Sequence, residues 1–187
     1  MDVSVVVPTF NEAEALPELV RRLFAALGAS GREAEMVIVD DSSPDGTGQI
    51  AETLARQYPV RVLHRPPRSG LASAVLEGLT HAAGRILVVM DADLSHPPEV
   101  VPRLVEAIES GAELAIASRY IPGGGVGTWP WHRRLVSRVA NLLARPFVPI
   151  RDATSGFFAL RREVIEGVAL DPIGFKIGLE IMAKGRY

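Results

Sequence analysis

Apolar and polar positions alternate in blocks along the chain. Residues 3–8 form a short β-branched run, and residues 12–27 then carry Leu16, Leu19, Val20, Leu23, Phe24 and Leu27 at helical spacing. The same rhythm repeats: apolar strands at 36–39, 60–64, 86–90 and 114–118 are separated by a turn-rich segment and helix reaching Arg56, a helix over 69–83 and a helix over 98–110. Short continuous apolar strands separated by amphipathic helices predict an α/β fold with a buried, mostly parallel sheet. In such sheets ligands bind beyond the C-terminal ends of the strands.

After Ser118 the alternation stops. A glycine-rich loop at 121–130 (Pro122-Gly123-Gly124-Gly125) closes on Trp129-Pro130-Trp131, followed by a helix expected over 132–145, an apolar segment at 157–160 and a last helix over 175–184. On the helix over 132–145, Leu135, Val139, Leu142 and Leu143 fall on one side, and Arg133, Arg134, Ser137, Arg138, Asn141 and Arg145 on the other. That pattern reads either as a helix packed on the core with a solvated basic face, or as a phosphate-gripping face with the tryptophans at a membrane interface. Arg133 and Ser137 are four apart, so one anion can touch both.

The strand ends carry the candidate chemistry: Pro8-Thr9-Phe10-Asn11-Glu12, Asp40-Asp41-Ser42, Asp91-Ala92-Asp93 and Ser118-Arg119-Tyr120. Carboxylates concentrated on one rim repel one another unless a cation or hydrogen-bond donors sit there. Asp91 and Asp93, two apart at a strand end, are expected to point to one side. Such hard oxygen ligands suit Mg²⁺ or Mn²⁺ sharing a substrate's phosphates, with Ser95 or His96 adding a ligand or a supporting contact. The plainer alternative is that the pair ends a strand and caps the helix opening at Pro97-Pro98. Asp41 would accept from the paired N–H donors of a nucleotide base. Asp45 and Thr47 read as turn and cap residues, and Gly70, Ala74 and Gly78 as small positions that let a helix approach the sheet.

Composition narrows this. The 187 residues are 48% hydrophobic, with 20 Lys and Arg against 22 Asp and Glu and a formal net charge of -2. The length suits one domain with its own core, and the apolar fraction excludes intrinsic disorder. Near-neutral charge argues against nucleic acid as a partner, and the lack of cysteine excludes disulfides, thiolate metal sites and cysteine nucleophiles. With no apolar run of membrane-spanning length and no signal-peptide layout, an intracellular location is expected.

Taken together, residues 5–12, 39–47, 91–99 and Ser118-Arg119-Tyr120 resemble the inverting family 2 glycosyltransferases of GT-A fold. The later segments (Gly123-Gly124-Gly125-Val126, Trp129-Pro130, residues 133–141, residues 152–157 and Gly174-Phe175-Lys176-Ile177) resemble the polyprenol-phosphate (dolichol-phosphate) mannose synthases within that family. The resemblance covers nearly the whole chain. It implies metal-dependent transfer of mannose from GDP-mannose to a polyprenyl phosphate, at the cytoplasmic face of a membrane and without crossing it. A separate membrane-anchoring subunit is a further implied partner.

By resemblance, Pro8, Phe10, Glu12, Val39 and Asp41 hold the nucleoside. Asp91, Ala92 and Asp93 contact ribose, metal and diphosphate, with Ser95 beside the metal at a position where glutamine is common. Arg119 contacts the diphosphate, Arg133 and Ser137 the acceptor phosphate, and Asp152 lies near the transferring sugar in a positioning role, with proton abstraction as the lesser alternative. The whole chain, 1–187, is expected to be a single GT-A domain, its nucleotide-binding half about 1–95 and its acceptor half about 96–187. Relatives continue into another strand and a basic loop, so its C-terminal end is expected to be missing.

Three alternatives remain open at this stage. One is transfer of another sugar, such as glucose from UDP-glucose. A second is a nucleotide-sugar-binding module without turnover. The third is a haloacid-dehalogenase-type phosphatase, which would want Thr or Val where Ser95 stands.

Overall fold

The computed structural model describes residues 1–67, 70–121, 141–142, 148, 150, 152–171 and 177–187. Five strands run in one direction: β1 (Val3–Thr9), β2 (Ala34–Asp40), β3 (Val60–His64), β4 (Ile86–Val89) and β5 (Leu114–Ile116). A sixth, β6 (Phe158–Arg161), is antiparallel to β4 and β5 and lies between them, so the sheet order is β3-β2-β1-β4-β6-β5. The helices are α1 (Leu16–Gly28), α2 (Thr47–Leu54), α3 (Leu71–His81), α4 (Val101–Glu109) and α5 (Ile177–Lys184). The expected α/β class with a mostly parallel central sheet is observed. The turn of β6 against its neighbours was not foreseen.

Both sheet faces are covered, which is why the strands read as unbroken apolar runs. Val3, Val5 and Val7 of β1 face a core made with Leu16, Leu19, Val20, Leu23 and Leu27 of α1 and Val101, Leu104, Val105 and Ile108 of α4. Val6, on the opposite face, packs with Ala72, Ala74, Val75 and Leu79 of α3 and Ile177, Ile181 and Met182 of α5. Each of these Val, Leu, Ile and Met side chains contributes about 1.5–3 kcal/mol on burial. The close approach of α3 requires glycine: a Cβ on Gly78 would lie 2.4 Å from Cγ1 of Val6 and 3.0 Å from Cγ2 of Val39.

Several expected boundaries move. The first helix begins at Leu16 rather than residue 12, because Asn11 sits at φ 60° and residues 13–15 form a turn before Pro17 enters the first helical turn. The third helix starts at Leu71 and the strand before Asp91 stops at Val89. The helix expected at 98–110 opens with one 3-10 turn, Pro98–Val100. Of the helix expected over 132–145, only residues 141–142 are described, and there the expected faces are exchanged. Asn141 is buried while Leu142 is 60% exposed, because the Asn141 amide finds polar partners in the interior, described below.

Candidate functional site

The sheet order reverses direction between β1 and β4, and at such a point the loops leaving the two strands diverge and open a crevice. Asn11 (φ 60°), Ser42 (φ 54°) and Leu94 (φ 60°) are the non-glycine residues with positive φ among those described, and one follows each of β1, β2 and β4. Such backbone costs of order 1–3 kcal/mol per residue and persists only where surrounding contacts hold it. Here they are visible. The Asn11 amide donates to Ser43 Oγ at 3.0 Å, that of Glu12 to Thr47 Oγ1 at 2.8 Å and that of Ala13 to Asp45 Oδ2 at 3.0 Å. Asp45 and Thr47 therefore tie the loop after β1 to the loop after β2. The α2 N-cap itself is Gly46, at φ 91° and without a side-chain cap bond.

Glu12 faces the loop after β4. Its carboxyl is pushed above the usual range by burial first, then by the charges of Asp93, Asp91 and Asp45. Because β4 has already ended, strand alternation does not orient Asp91 and Asp93; the bends of 92–96 do. Asp93 is exposed and accepts the Ser95 amide at 3.0 Å, while Ala92 between them is buried. Asp91 has its backbone N–H on His96 Nδ1 at 3.1 Å and its Oδ2 3.7 Å from His96 Nε2. Burial lowers the His96 pKa, against the pull of Asp91 and Asp93, and the ring stacks on Phe157 with centroids 5.0 Å apart. Among the described residues no cluster of three or more His, Cys, Asp or Glu groups is suited to hold a metal. Two hard carboxylates fit an ion that keeps water ligands and draws the rest from a substrate's phosphates, not a closed protein cage.

Beside this crevice, Pro8 and Val39 are paired in register across β1 and β2, and Phe10 stands 54% exposed on the rim. Asp41 is buried and engaged within the protein. Its Oδ2 accepts the Gly70 amide at 3.1 Å, and its Oδ1 lies 3.1 Å from Arg65 Nη1 without a hydrogen bond of good geometry. Gly70 thus belongs to this pocket at φ 92°, not to the small helix face with Ala74 and Gly78. Arg65 went unnoticed in the sequence. Its side chain is 6% exposed, with Nε 2.9 Å from Glu77 and Nη2 2.6 Å from Ser73 Oγ. The available signal was an arginine directly after an apolar strand and before Pro66-Pro67.

Across the crevice, Arg119 and Asp152 form an ion pair. Backbone N–H and Nε of Arg119 both donate to Asp152 Oδ2 at 2.9 Å, and Nη2 donates to Oδ1 at 2.7 Å. Thr154 Oγ1 accepts from Arg119 Nη2 at 2.9 Å and from Asn141 Nδ2 at 3.2 Å. The Asp152 side chain is fully buried. Burial alone would raise its pKa, but the Arg119 hydrogen bonds and charge, with a smaller part from Asn141, hold it below the usual range. A carboxylate so held is a poor proton acceptor and a strong clamp on the guanidinium. Thr154, which Arg119 donates to, lines one cavity with Asp91, so the ion pair adjoins the same crevice. Arg133 and Ser137 lie outside the described residues.

The sequence profile of Glycosyl transferase family 2 matches residues 4–168. The chain is 52% identical over 191 aligned positions to dolichol-phosphate mannosyltransferase of Pyrococcus furiosus, covering 100% of this chain and 54% of that protein. It is 45% identical to polyprenol monophosphomannose synthase of Mycolicibacterium smegmatis, over 92% of this chain and 66% of that one. Against dolichol-phosphate mannosyltransferase of Saccharomyces cerevisiae the figures are 41%, 98% and 71%. The chain thus spans between about half and three quarters of the length of these relatives. Among solved structures it resembles glucosyl-3-phosphoglycerate synthase from Mycobacterium tuberculosis in complex with Mn²⁺, uridine diphosphate and phosphoglyceric acid. That match has a TM-score of 0.70 and 26% identity over 96% of this chain and 62% of the other. The architecture is GT-A-like, as the sequence resemblance implied.

Proposed function

The chain belongs to glycosyl transferase family 2, and from that premise we propose that it transfers mannose from GDP-mannose to a polyprenyl phosphate, with inversion and with a divalent cation. The observation that carries this reading is the acidic crevice between β1 and β4, where the charges of Asp93 and Asp91 add to burial in raising the Glu12 pKa. That field is unfavourable until positive charge enters it. Asp91 and Asp93 would hold Mg²⁺ or Mn²⁺, with Ser95 beside them. When bound, the ion would neutralise charge developing on the departing diphosphate.

The protein's own groups supply the rest. Pro8, Phe10, Glu12, Val39 and Asp41 bind the nucleoside, and Asp91, Ala92 and Asp93 adjoin the ribose and diphosphate. Arg119 is aimed at the diphosphate and kept in place by Asp152, whose role is positioning. A lipid phosphate oxygen is already ionised near neutral pH, so it attacks the anomeric carbon without surrendering a proton, and the diphosphate leaves from the opposite face. No strong base is needed, which agrees with the lowered pKa of Asp152. Arg133 and Ser137 take the acceptor phosphate.

Mannose is favoured because three relatives at 41–52% identity carry it in their names. Uridine diphosphate in the structural relative supports glucose from UDP-glucose as the second reading. No helix of the described residues is long and apolar enough to cross a membrane. Leu142, exposed in the sequence stripe Leu135, Val139, Leu142 and Leu143, supports peripheral contact with the lipid surface. We place that contact on the cytoplasmic face, with a separate anchoring subunit as a partner to be sought by co-purification.

The test is incubation with Mg²⁺ or Mn²⁺, a short polyprenyl phosphate and radiolabelled GDP-mannose or UDP-glucose. Labelled lipid from GDP-mannose is the expected result, and label from UDP-glucose alone would install the second reading. Absence of labelled lipid with either donor, from a chain extended to the length of its relatives, would sink transfer and leave a nucleotide-sugar-binding module.

A further inference from the structure

His96 follows Asp91 by five residues, and the bends between them, with Leu94 at φ 60°, return its ring against the aspartate. The Asp91 backbone N–H donates to Nδ1 at 3.1 Å, so Nδ1 is the accepting nitrogen. The ring proton is then on Nε2, which lies 3.7 Å from Asp91 Oδ2. One imidazole thus meets both the backbone and the carboxylate of the same residue. The ring is itself fixed: it stacks on Phe157 at 5.0 Å and 17°, and Phe157 is 2% exposed in the core. Gly156 adjoins both groups, an added Cβ there coming within ordinary contact of Asp91 Oδ2 at 3.5 Å and His96 Cε1 at 3.6 Å. Asp93 has a different support, the backbone amide of Ser95.

We propose that His96 is a positioning residue of the cation and diphosphate site, transmitting the rigidity of the core at Phe157 to the backbone and carboxylate of Asp91. This inference rests on the reading of Asp91 and Asp93 as cation ligands. A partner that orients a ligating group typically changes metal affinity about 10–100-fold when removed. His96→Phe keeps an aromatic ring against Phe157 and deletes the acceptor. His96→Asn restores an acceptor close to the position of Nδ1.

The experiment is an electron paramagnetic resonance titration of Mn²⁺ with GDP present, beside GDP binding in EDTA by calorimetry and thermal melts of each variant. Expected are at least a tenfold weaker Mn²⁺ affinity in His96→Phe, substantial recovery in His96→Asn, and GDP affinity in EDTA within about twofold of wild type. Wild-type Mn²⁺ affinity in His96→Phe, an Asn variant no better than the Phe variant, or an equal loss of GDP binding in EDTA would each overturn the assignment. A wild-type protein that binds GDP with no effect of Mn²⁺ would instead bring down the cation reading of Asp91 and Asp93, and this inference with it.

Discussion

Asp152 holds Arg119 from two directions at once: the same Oδ2 receives the arginine's backbone N–H and its Nε, each at 2.9 Å. The side chain and the peptide that carries it are locked by one fully buried carboxylate. Removing one partner of such a pair leaves an uncompensated charge and costs about 3–5 kcal/mol. Asp152→Asn is therefore expected to lower unfolding free energy by about 3 kcal/mol in urea titrations. An unfolding free energy equal to that of wild type would refute the clamp.

The same pair sets an acid limit. The folded-state pKa of Asp152 is lowered, so its contribution is complete above the ordinary carboxylate pKa and fades as pH falls through the lowered value. The stability difference between wild type and Asp152→Asn should be constant near neutral pH and shrink below about pH 4. Urea midpoints measured from pH 7 to 3 check this, and a gap that widens in acid would contradict it.

Asp93 is the converse case. It is exposed and its partner is a local amide, so Asp93→Ala should leave the unfolding free energy nearly unchanged, within about 0.5 kcal/mol. It should nevertheless abolish the enhancement of GDP binding by Mg²⁺ or Mn²⁺. Calorimetry with and without EDTA separates the two effects, and wild-type enhancement in the variant would refute the metal assignment.

Arg65 joins Asp41, Glu77 and Ser73 from a nearly closed position. Arg65→Met keeps much of the volume but strands the Asp41 carboxylate. Stability is expected to fall by about 3 kcal/mol, and GDP affinity at least tenfold if Asp41 orders the base pocket. Unchanged affinity in a folded Arg65→Met would remove Asp41 from nucleoside binding.

Gly84 lies where the chain passes from α3 to β4. A Cβ there would sit 2.5 Å from the Ser4 backbone nitrogen and 2.6 Å from the Val3 carbonyl carbon. Backbone cannot swing aside as a side chain can, so Gly84→Ala should cost about 3 kcal/mol, the upper end of ordinary overpacking. Thermal unfolding provides the measurement, and a melting temperature equal to wild type would show that the strands separate freely.

The parallel part of the sheet was legible because strands covered on both faces leave unbroken runs such as Val5-Val6-Val7 and Val37-Ile38-Val39. The direction of β6 was not, since Phe158-Ala159-Leu160 carries no mark of whether it runs with its neighbours or against them. The carboxylates of the crevice were visible as residues following strands. Their supports were hidden, because an arginine such as Arg65 or a histidine such as His96 declares burial only through partners distant in sequence or brought round by a bend. Asn141 and Leu142 failed for a related reason: helical periodicity separates two sides but does not say which one meets a polar interior.

The reversed strand has an evolutionary consequence. β5 ends at Ile116 and β6 begins at Phe158, and these two residues pair side by side, so the chain leaves and re-enters the sheet at the same end of its strands. Lengthening that excursion beyond the Ala117–Phe157 backbone bond alters no hydrogen bond of the ladder. The strands and the two roots of the excursion, which carry the donor motifs together with Arg119 and Asp152, can therefore diverge at a different rate from the residues between those roots, so that one nucleotide-handling scaffold can be refitted for new acceptors by exchanging that stretch.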